Sequence, residues 1–274
     1  MKRTISGAVY VLIITLAFLV RQLVDYRVFN ILLLFLSVCG SFEMAVETKK
    51  FVGKGISACS FIFGALLVPV FFVAELFLPN FGWVFGGGLI VFSLILNVVL
   101  ELIYRRRGDA MFFSILDALY PSVFILLILL CNQLEGGRGF IALLLLFVVS
   151  ALADTLAFLV GCLFKGPKLC PELSPKKTWA GAIGGLIGGA IGGLLVYVTF
   201  GYALGGNFYW WVFALVGLVG AILSIFGDLF ESFIKRRIGI KDMGNIMPGH
   251  GGVLDRIDGL SFITLLVYPL MLLL

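Results

Sequence analysis

The segment from Gly227 to Arg236 carries two carboxylates, a hydroxyl and an ammonium at helical spacing. At about 100° per residue, Asp228, Glu231, Ser232 and Lys235 fall within one sector roughly 100° wide. Packing alone would put Leu or Gly on such a stripe, so the company of these side chains points to a site. The loop that follows, Arg237 to Asp258, is rich in glycine (Gly244, Gly249, Gly251 and Gly252) and holds the single histidine of the chain, His250. Glycines let a backbone approach a ligand closely, as phosphate-cradling loops do. Lys235, Arg236, Lys241 and Arg256 can supply countercharge to phosphates. Asp255 and Asp258 stand at i, i+3 where the last helix should open, so both can face one pocket; a single carboxylate there would also serve as a dipole-favoured cap. Carboxylates interleaved with cations suit a Mg²⁺–phosphate site, because Mg²⁺ takes one or two carboxylates together with substrate phosphates. The chemistry this implies is phosphoryl or nucleotidyl transfer, in which catalysis is positioning and charge neutralisation and a metal pair can clamp attacking and leaving oxygens.

A second basic segment reads Lys165-Gly166-Pro167-Lys168 and then Ser174-Pro175-Lys176-Lys177-Thr178-Trp179. Ser174 and Thr178 can donate to phosphate oxygens or cap the helix expected to start near Trp179. Lys176 and Lys177 fit either phosphate binding or anchoring at the membrane surface. The chain has neither a Walker A motif nor a GxGxxG within a βαβ pattern, which argues against P-loop and Rossmann nucleotide sites. Cys39, Cys59, Cys131, Cys162 and Cys170 form no CxxC pair and sit mostly in apolar runs, as small hydrophobes do.

The elements that must hold these groups follow from composition. Of 274 residues, 61% are hydrophobic and 13% charged, with a mean hydropathy of +1.15. Soluble domains carry about 25% charged and 45–50% apolar residues, so a water-soluble enzyme, a disordered chain and a disulfide-stapled secreted domain are excluded. The expected fold is all-α: a polytopic integral membrane helical bundle forming one transmembrane domain over 1–274, with N-terminal helices in 1–135 and the site-bearing helices and loops in 136–274. Apolar runs of about 20 residues, the length that crosses a bilayer, lie near 5–20, 28–46, 56–78, 83–103, 111–131, 139–163, 180–200, 208–233 and 256–274. The first lacks an A-x-A-like cleavage site and reads as a retained helix, not a signal peptide. Nine spans place 17 of the 20 basic residues on the side of the N-terminus and leave only Arg21, Arg27 and Arg138 on the other. The positive-inside rule then predicts a cytoplasmic N-terminus, an outside C-terminus and a site facing the cytoplasm. The net charge of +5 is a one-sided field toward anionic headgroups and solutes.

Charged groups at the bilayer centre cost about 2.5–3.5 kcal/mol each on insertion scales, which singles out Asp154 beside the stripe on 228–235. Glu43, Glu75, Glu101 and Asp117 are isolated or near helix ends and read as solvated or structurally paired. Gly181, Gly185, Gly189 and Gly193, with Gly184, Gly188 and Gly192, form overlapping GxxxG rows. These predict close helix packing, within the bundle or at the seam of a homodimer.

The run Ser232-x-x-Lys235-Arg236, Lys241-Asp242, Pro248-Gly249-His250-Gly251-Gly252-x2-Asp255-Arg256-x-Asp258 resembles the signature of the phosphatidate cytidylyltransferase (CDP-diacylglycerol synthase) family. Ser174 to Trp179 resembles a second motif of that family and Ala153-Asp154-Thr155 a third. The chain departs from the pattern at Ala180, where Glu or Gln is usual, and at Thr155 to Phe158, where a smaller residue and a Tyr are common. The N-terminal half matches only as hydrophobic spans. The resemblance implies that CTP and phosphatidate react to CDP-diacylglycerol and pyrophosphate with Mg²⁺, as one ion or two and with a monovalent ion open, at the cytoplasmic face of the cell (inner) membrane. It implies that Asp228 and Asp255 hold the metal, helped by Glu231, Asp258 and Asp154. Lys235, Arg236, Lys241 and Arg256 would bind CTP phosphates or the lipid head, and Lys176 and Lys177 the pyrophosphate or lipid phosphate. His250 would donate a hydrogen bond from the turn it shares with Gly251 and Gly252, and Ser232 leaves a covalent intermediate open. Nucleic acid is not an expected partner; membrane lipids are. Two other readings are a CTP-dependent lipid kinase of the polyprenol or phytol type, which would release CDP, and a secondary transporter, whose inverted repeats are missing here.

Overall fold

The computed structural model describes residues 2–104, 108–201, 209–246 and 251–273, with side chains from residue 9 onward. Among the described residues the chain is all-α apart from one short strand pair, and its long apolar helices make it a polytopic membrane protein. Seven helices among the described residues are long and apolar enough to cross a bilayer. The residues group into two compact units: Met1–Leu130 with Asp242–Asp255, and Cys131–Lys241 with Arg256–Leu274.

The first unit contains α1 (Lys2–Leu23), α2 (Phe29–Phe77), α3 (Gly82–Tyr104), α4 (Asp109–Leu119) and most of α5 (Ser122–Gln133). A straight helix as long as α2 would run about 74 Å, more than twice the roughly 30 Å hydrocarbon layer. It is not straight. Gly53 breaks it with φ 79°, a conformation that costs glycine nothing. The halves fold back on each other: Ser37 Oγ donates to the Gly64 carbonyl at 2.7 Å and Ser57 Oγ to the Ala45 carbonyl at 2.5 Å. The spans expected near 28–46 and 56–78 are these two halves. The span expected near 111–131 is likewise divided into α4 and α5 at Tyr120–Pro121, where proline has no N–H to continue the helical ladder.

Isolated carboxylates in this unit are structurally paired. Glu75 accepts from the N–H groups of Asn80 (3.0 Å) and Gly82 (2.7 Å), closing the α2–α3 turn. Asp117 accepts from Thr48 Oγ1 at 2.7 Å and Glu101 from Ser114 Oγ at 2.8 Å.

The second unit contains α6 (Arg138–Phe164), β1 (Lys168–Cys170), β2 (Ser174–Thr178), α7 (Trp179–Phe200), α8 (Trp210–Ile238) and all but the first two residues of α9 (Leu254–Leu273). The second basic segment forms the antiparallel β1–β2 hairpin, pairing Lys168 with Thr178 and Cys170 with Ser174. The glycine rows of α7 serve two neighbours. A Cβ added at Gly184 or Gly188 would strike α6 at the carbonyls of Leu156 and Leu152, and one at Gly189 or Gly193 would strike α8 at the carbonyls of Gly217 and Phe213. Both rows are therefore consumed inside this unit, and they no longer argue for a dimer seam.

Thr178 ends the hairpin and begins α7. Its backbone is extended and its Oγ1 accepts from the Gly181 N–H at 3.0 Å, an N-cap. Replacing Thr178 by Ala should cost about 1 kcal/mol, seen as a lower thermal midpoint in detergent, while Thr178→Ser should restore it.

Candidate active site

A cavity of about 590 Å³ lies within the second unit, bounded by α6, the hairpin, α7 and α8. This is within the roughly 300–1,000 Å³ typical of small-molecule sites. Its polar wall holds Asp154, Asp228, Lys165, Lys168, Lys176, Lys177 and Thr178; its apolar wall includes Ala153, Ala157, Phe158, Leu169 and Ile225. The hairpin explains the cation density. Alternation alone would send Lys176 and Lys177 to opposite faces, but the register shifts between the Lys168–Thr178 and Cys170–Ser174 pairs, and both lysines line the cavity.

Lys177 Nζ sits 2.5 Å from Asp228 Oδ2, with both side chains partly exposed. One turn along α8, Glu231 is fully buried and takes the Lys235 ammonium at 3.1 Å. The α8–α9 crossing brings in Asp258, because Gly227 has no side chain to hold off the Asp258 carbonyl. Asp258 Oδ1 accepts from the next backbone N–H, that of Gly259, at 2.7 Å. The charges of Asp228, Lys177 and Arg256 act on Asp154, and those of Asp228, Lys235 and Asp154 on Asp258. Three of the five expected metal carboxylates thus share one electrostatic neighbourhood.

This donor set fits Mg²⁺ delivered with a polyphosphate. Lys177 supplies the positive charge beside Asp228. Among the described residues no three of His, Cys, Asp or Glu group tightly enough for an all-protein metal cage, and Mg²⁺ usually completes its shell from substrate phosphates and water.

The other expected residues are placed as follows. Ser232 is buried on α8 at 8% exposure. Arg236 ties the hairpin's turn to the end of α8, donating to the carbonyls of Leu173 (3.4 Å) and Ile240 (3.2 Å). Lys241 and Arg256 are exposed, and Ser174 stands opposite Cys170, off the cavity wall. His250, with Met247, Pro248 and Gly249, lies outside the described residues.

In the first unit, Asp255 Oδ2 accepts from the N–H groups of Met243 (3.0 Å) and Gly252 (2.7 Å), closing the glycine-rich loop on itself. Gly251 turns there at φ 84°. The next contact could not be read from local spacing. Glu43, 2% exposed, accepts from the N–H groups of Val253 (2.9 Å) and Leu254 (3.0 Å). A carboxylate in an apolar run was the available signal, but its partners lie 210 positions away, beyond any local spacing. Lys165 and Lys168 were also missed as wall residues, since nothing in their spacing shows which way the hairpin folds, and Phe158 reads as one more apolar residue of α6.

The cytidylyltransferase family model matches residues 1–274. The chain belongs to that family. It is similar to a phosphatidate cytidylyltransferase of Brucella abortus biovar 1 (strain 9-941), 46% identical over 130 residues that make up 47% of this chain and 46% of that protein. It also resembles proteins of the same name from Rickettsia conorii (32% identical, over 75% of this chain and 86% of that protein) and Mycobacterium bovis (37%, over 46% and 39%). The chain spans about half the length of the Brucella relatives it matches. The Rickettsia match shows that likeness within the family extends well beyond the C-terminal half to which the sequence motifs were confined.

Proposed function

We propose that this family member is a CTP:phosphatidate cytidylyltransferase of the cell (inner) membrane, working at its cytoplasmic face. The observation that carries the reading is the second-unit cavity, where four lysines and two aspartates meet an apolar wall. A ligand matched to it is anionic at one end and greasy at the other, as phosphatidate is, and the ammonium groups suit a second, polyphosphate ligand. The names of the relatives support the same pair of substrates.

In the proposed reaction a phosphatidate oxygen attacks the α-phosphorus of CTP. The new P–O bond forms as the α–β bridge breaks, and pyrophosphate leaves with the bonding pair. The attacking oxygen is already anionic, so no strong general base is required. Lys176 and Lys177, with Lys165 and Lys168, neutralise phosphate charge in the cavity. Lys235, held by Glu231, and Arg236, Lys241 and Arg256 are further phosphate-binding cations, and His250 is a hydrogen-bond donor. Mg²⁺, when bound, supplies charge neutralisation at the triphosphate, with Asp228 and Asp154 as its nearest fitting ligands and Asp255, Asp258 and Glu231 as supporting carboxylates.

Incubating the purified chain with labelled CTP, phosphatidate and Mg²⁺ tests the proposal. CDP-diacylglycerol and pyrophosphate are expected; release of CDP would instead indicate a lipid kinase, and flux into vesicles without CTP consumption a transporter. Lys177→Met should lower kcat/KM by about 100-fold, the effect of losing one charge-stabilising donor. An unchanged value would remove Lys177 from the site.

A further inference from the structure

The glycine-rich loop is seated on a helix from the opposite end of the chain. Gly40 and Glu43 lie one turn apart on α2. Leu254 packs over Gly40, whose added Cβ would come 3.0 Å from Leu254 Cδ2. Both oxygens of Glu43 are used, Oε1 by the Val253 N–H and Oε2 by the Leu254 N–H. These are the entry to α9, where a carboxylate also meets the positive end of the helix dipole. Two loop glycines make room for it: a Cβ at Gly252 would lie 2.6–2.8 Å from the carboxylate, and one at Gly244 would collide with Oε1. Val253, Leu254 and Met243 are all fully buried around it. Part of the loop's glycine content therefore accommodates a side chain of the protein itself, not a ligand.

Asp255 follows this clamp directly and draws Met243 and Gly252 together. We propose that Glu43 is a positioning residue for nucleotide transfer: by gripping the backbone at 253–254 it sets where Asp255, Gly251 and Gly252 stand. The inference rests on the functional reading above and extends it to the N-terminal half of the chain.

The test compares the chain with its Glu43→Gln and Glu43→Asp variants. Gln keeps the shape but presents one acceptor oxygen to two N–H donors, so one N–H faces the amide NH₂. In Glu43→Gln, hydrogen exchange at 251–256 should accelerate, and kcat/KM for CTP per folded molecule should fall about 10–100-fold, as when a partner that orients a ligand is lost. Glu43→Asp retains both oxygens and should recover part of each. Faster exchange with wild-type kcat/KM would overturn the positioning role, as would a loss confined to folded yield. Where Glu43→Gln does not fold, Gly244→Ala presses a methyl on the intact carboxylate and should give the same fall in kcat/KM; normal turnover there overturns the proposal. Wild-type protein without CTP–phosphatidate turnover would overturn the functional reading, and unaltered exchange in a folded Glu43→Gln would overturn the clamp alone.

Discussion

Asp228→Asn should lower Mg²⁺-dependent turnover of CTP and phosphatidate by on the order of 1,000-fold while the protein still inserts and keeps its thermal midpoint. Asp228 is the carboxylate that the charge environments of both Asp154 and Asp258 have in common, and it lies 2.5 Å from Lys177 in the cavity wall. Asn preserves its size and removes its charge. A metal's charge neutralisation is worth several kcal/mol in such reactions, and each 1.36 kcal/mol is tenfold in rate. Because Asp228 is partly exposed and its ion pair partly solvated, the change should cost little stability. A titration separates two ways of failing. If Asp228 holds the ion, the loss deepens at low Mg²⁺ and eases as Mg²⁺ rises. If it only orients Lys177, then Asp228→Asn and Lys177→Met should be non-additive at every Mg²⁺ concentration. Near-wild-type turnover in Asp228→Asn would sink the proposed site.

The second large effect concerns folding. Gly193→Val should destabilise the second unit by more than about 3 kcal/mol, the upper end of ordinary overpacking. A Cβ at Gly193 collides with the Phe213 carbonyl, and one at Gly217 with the Gly189 carbonyl. Backbone carbonyls cannot rotate away, so α7 and α8 would have to separate. Gly88 on α3 is the control, since a methyl there meets nothing within 4 Å. Gly88→Ala should leave the thermal midpoint and detergent-extracted yield unchanged. Equal tolerance at Gly193 and Gly88 would contradict the close α7–α8 contact.

What could be read before the fold was known was whatever repeats locally. Apolar runs marked most helices, and a 3.6-residue period put Asp228, Glu231 and Lys235 on one stripe of α8. Four-residue spacing marked the α7 glycines, and the polar Thr178 before an apolar run marked a cap. What stayed hidden depends on distant parts of the chain meeting. The break at Gly53 sits among glycines that composition does not rank. The β1 and β2 strands are three and five residues long, with a proline in β2, too short for alternation to emerge. Asp255 read as a metal ligand or a helix cap, and its engagement by the Met243 and Gly252 N–H groups stayed hidden because it joins residues on both sides of the loop. Glu43 read only as solvated or structurally paired, and its partners stayed hidden because its hydrogen-bond donors are across the chain.

Where side chains interleave, two helices can slide by changing rotamers. Where carbonyl meets Cα, no such freedom exists. Along α7 the contacts to α6 and α8 are of the second kind on two faces at once, so this trio has almost no soft coordinate along which to breathe. Accommodation of the proposed substrate's fatty chains at different lengths would then have to occur at the strand pair or out in the surrounding lipid, and substitutions that broaden chain-length tolerance should accumulate at Leu169 in β1, leaving the glycine ladder untouched.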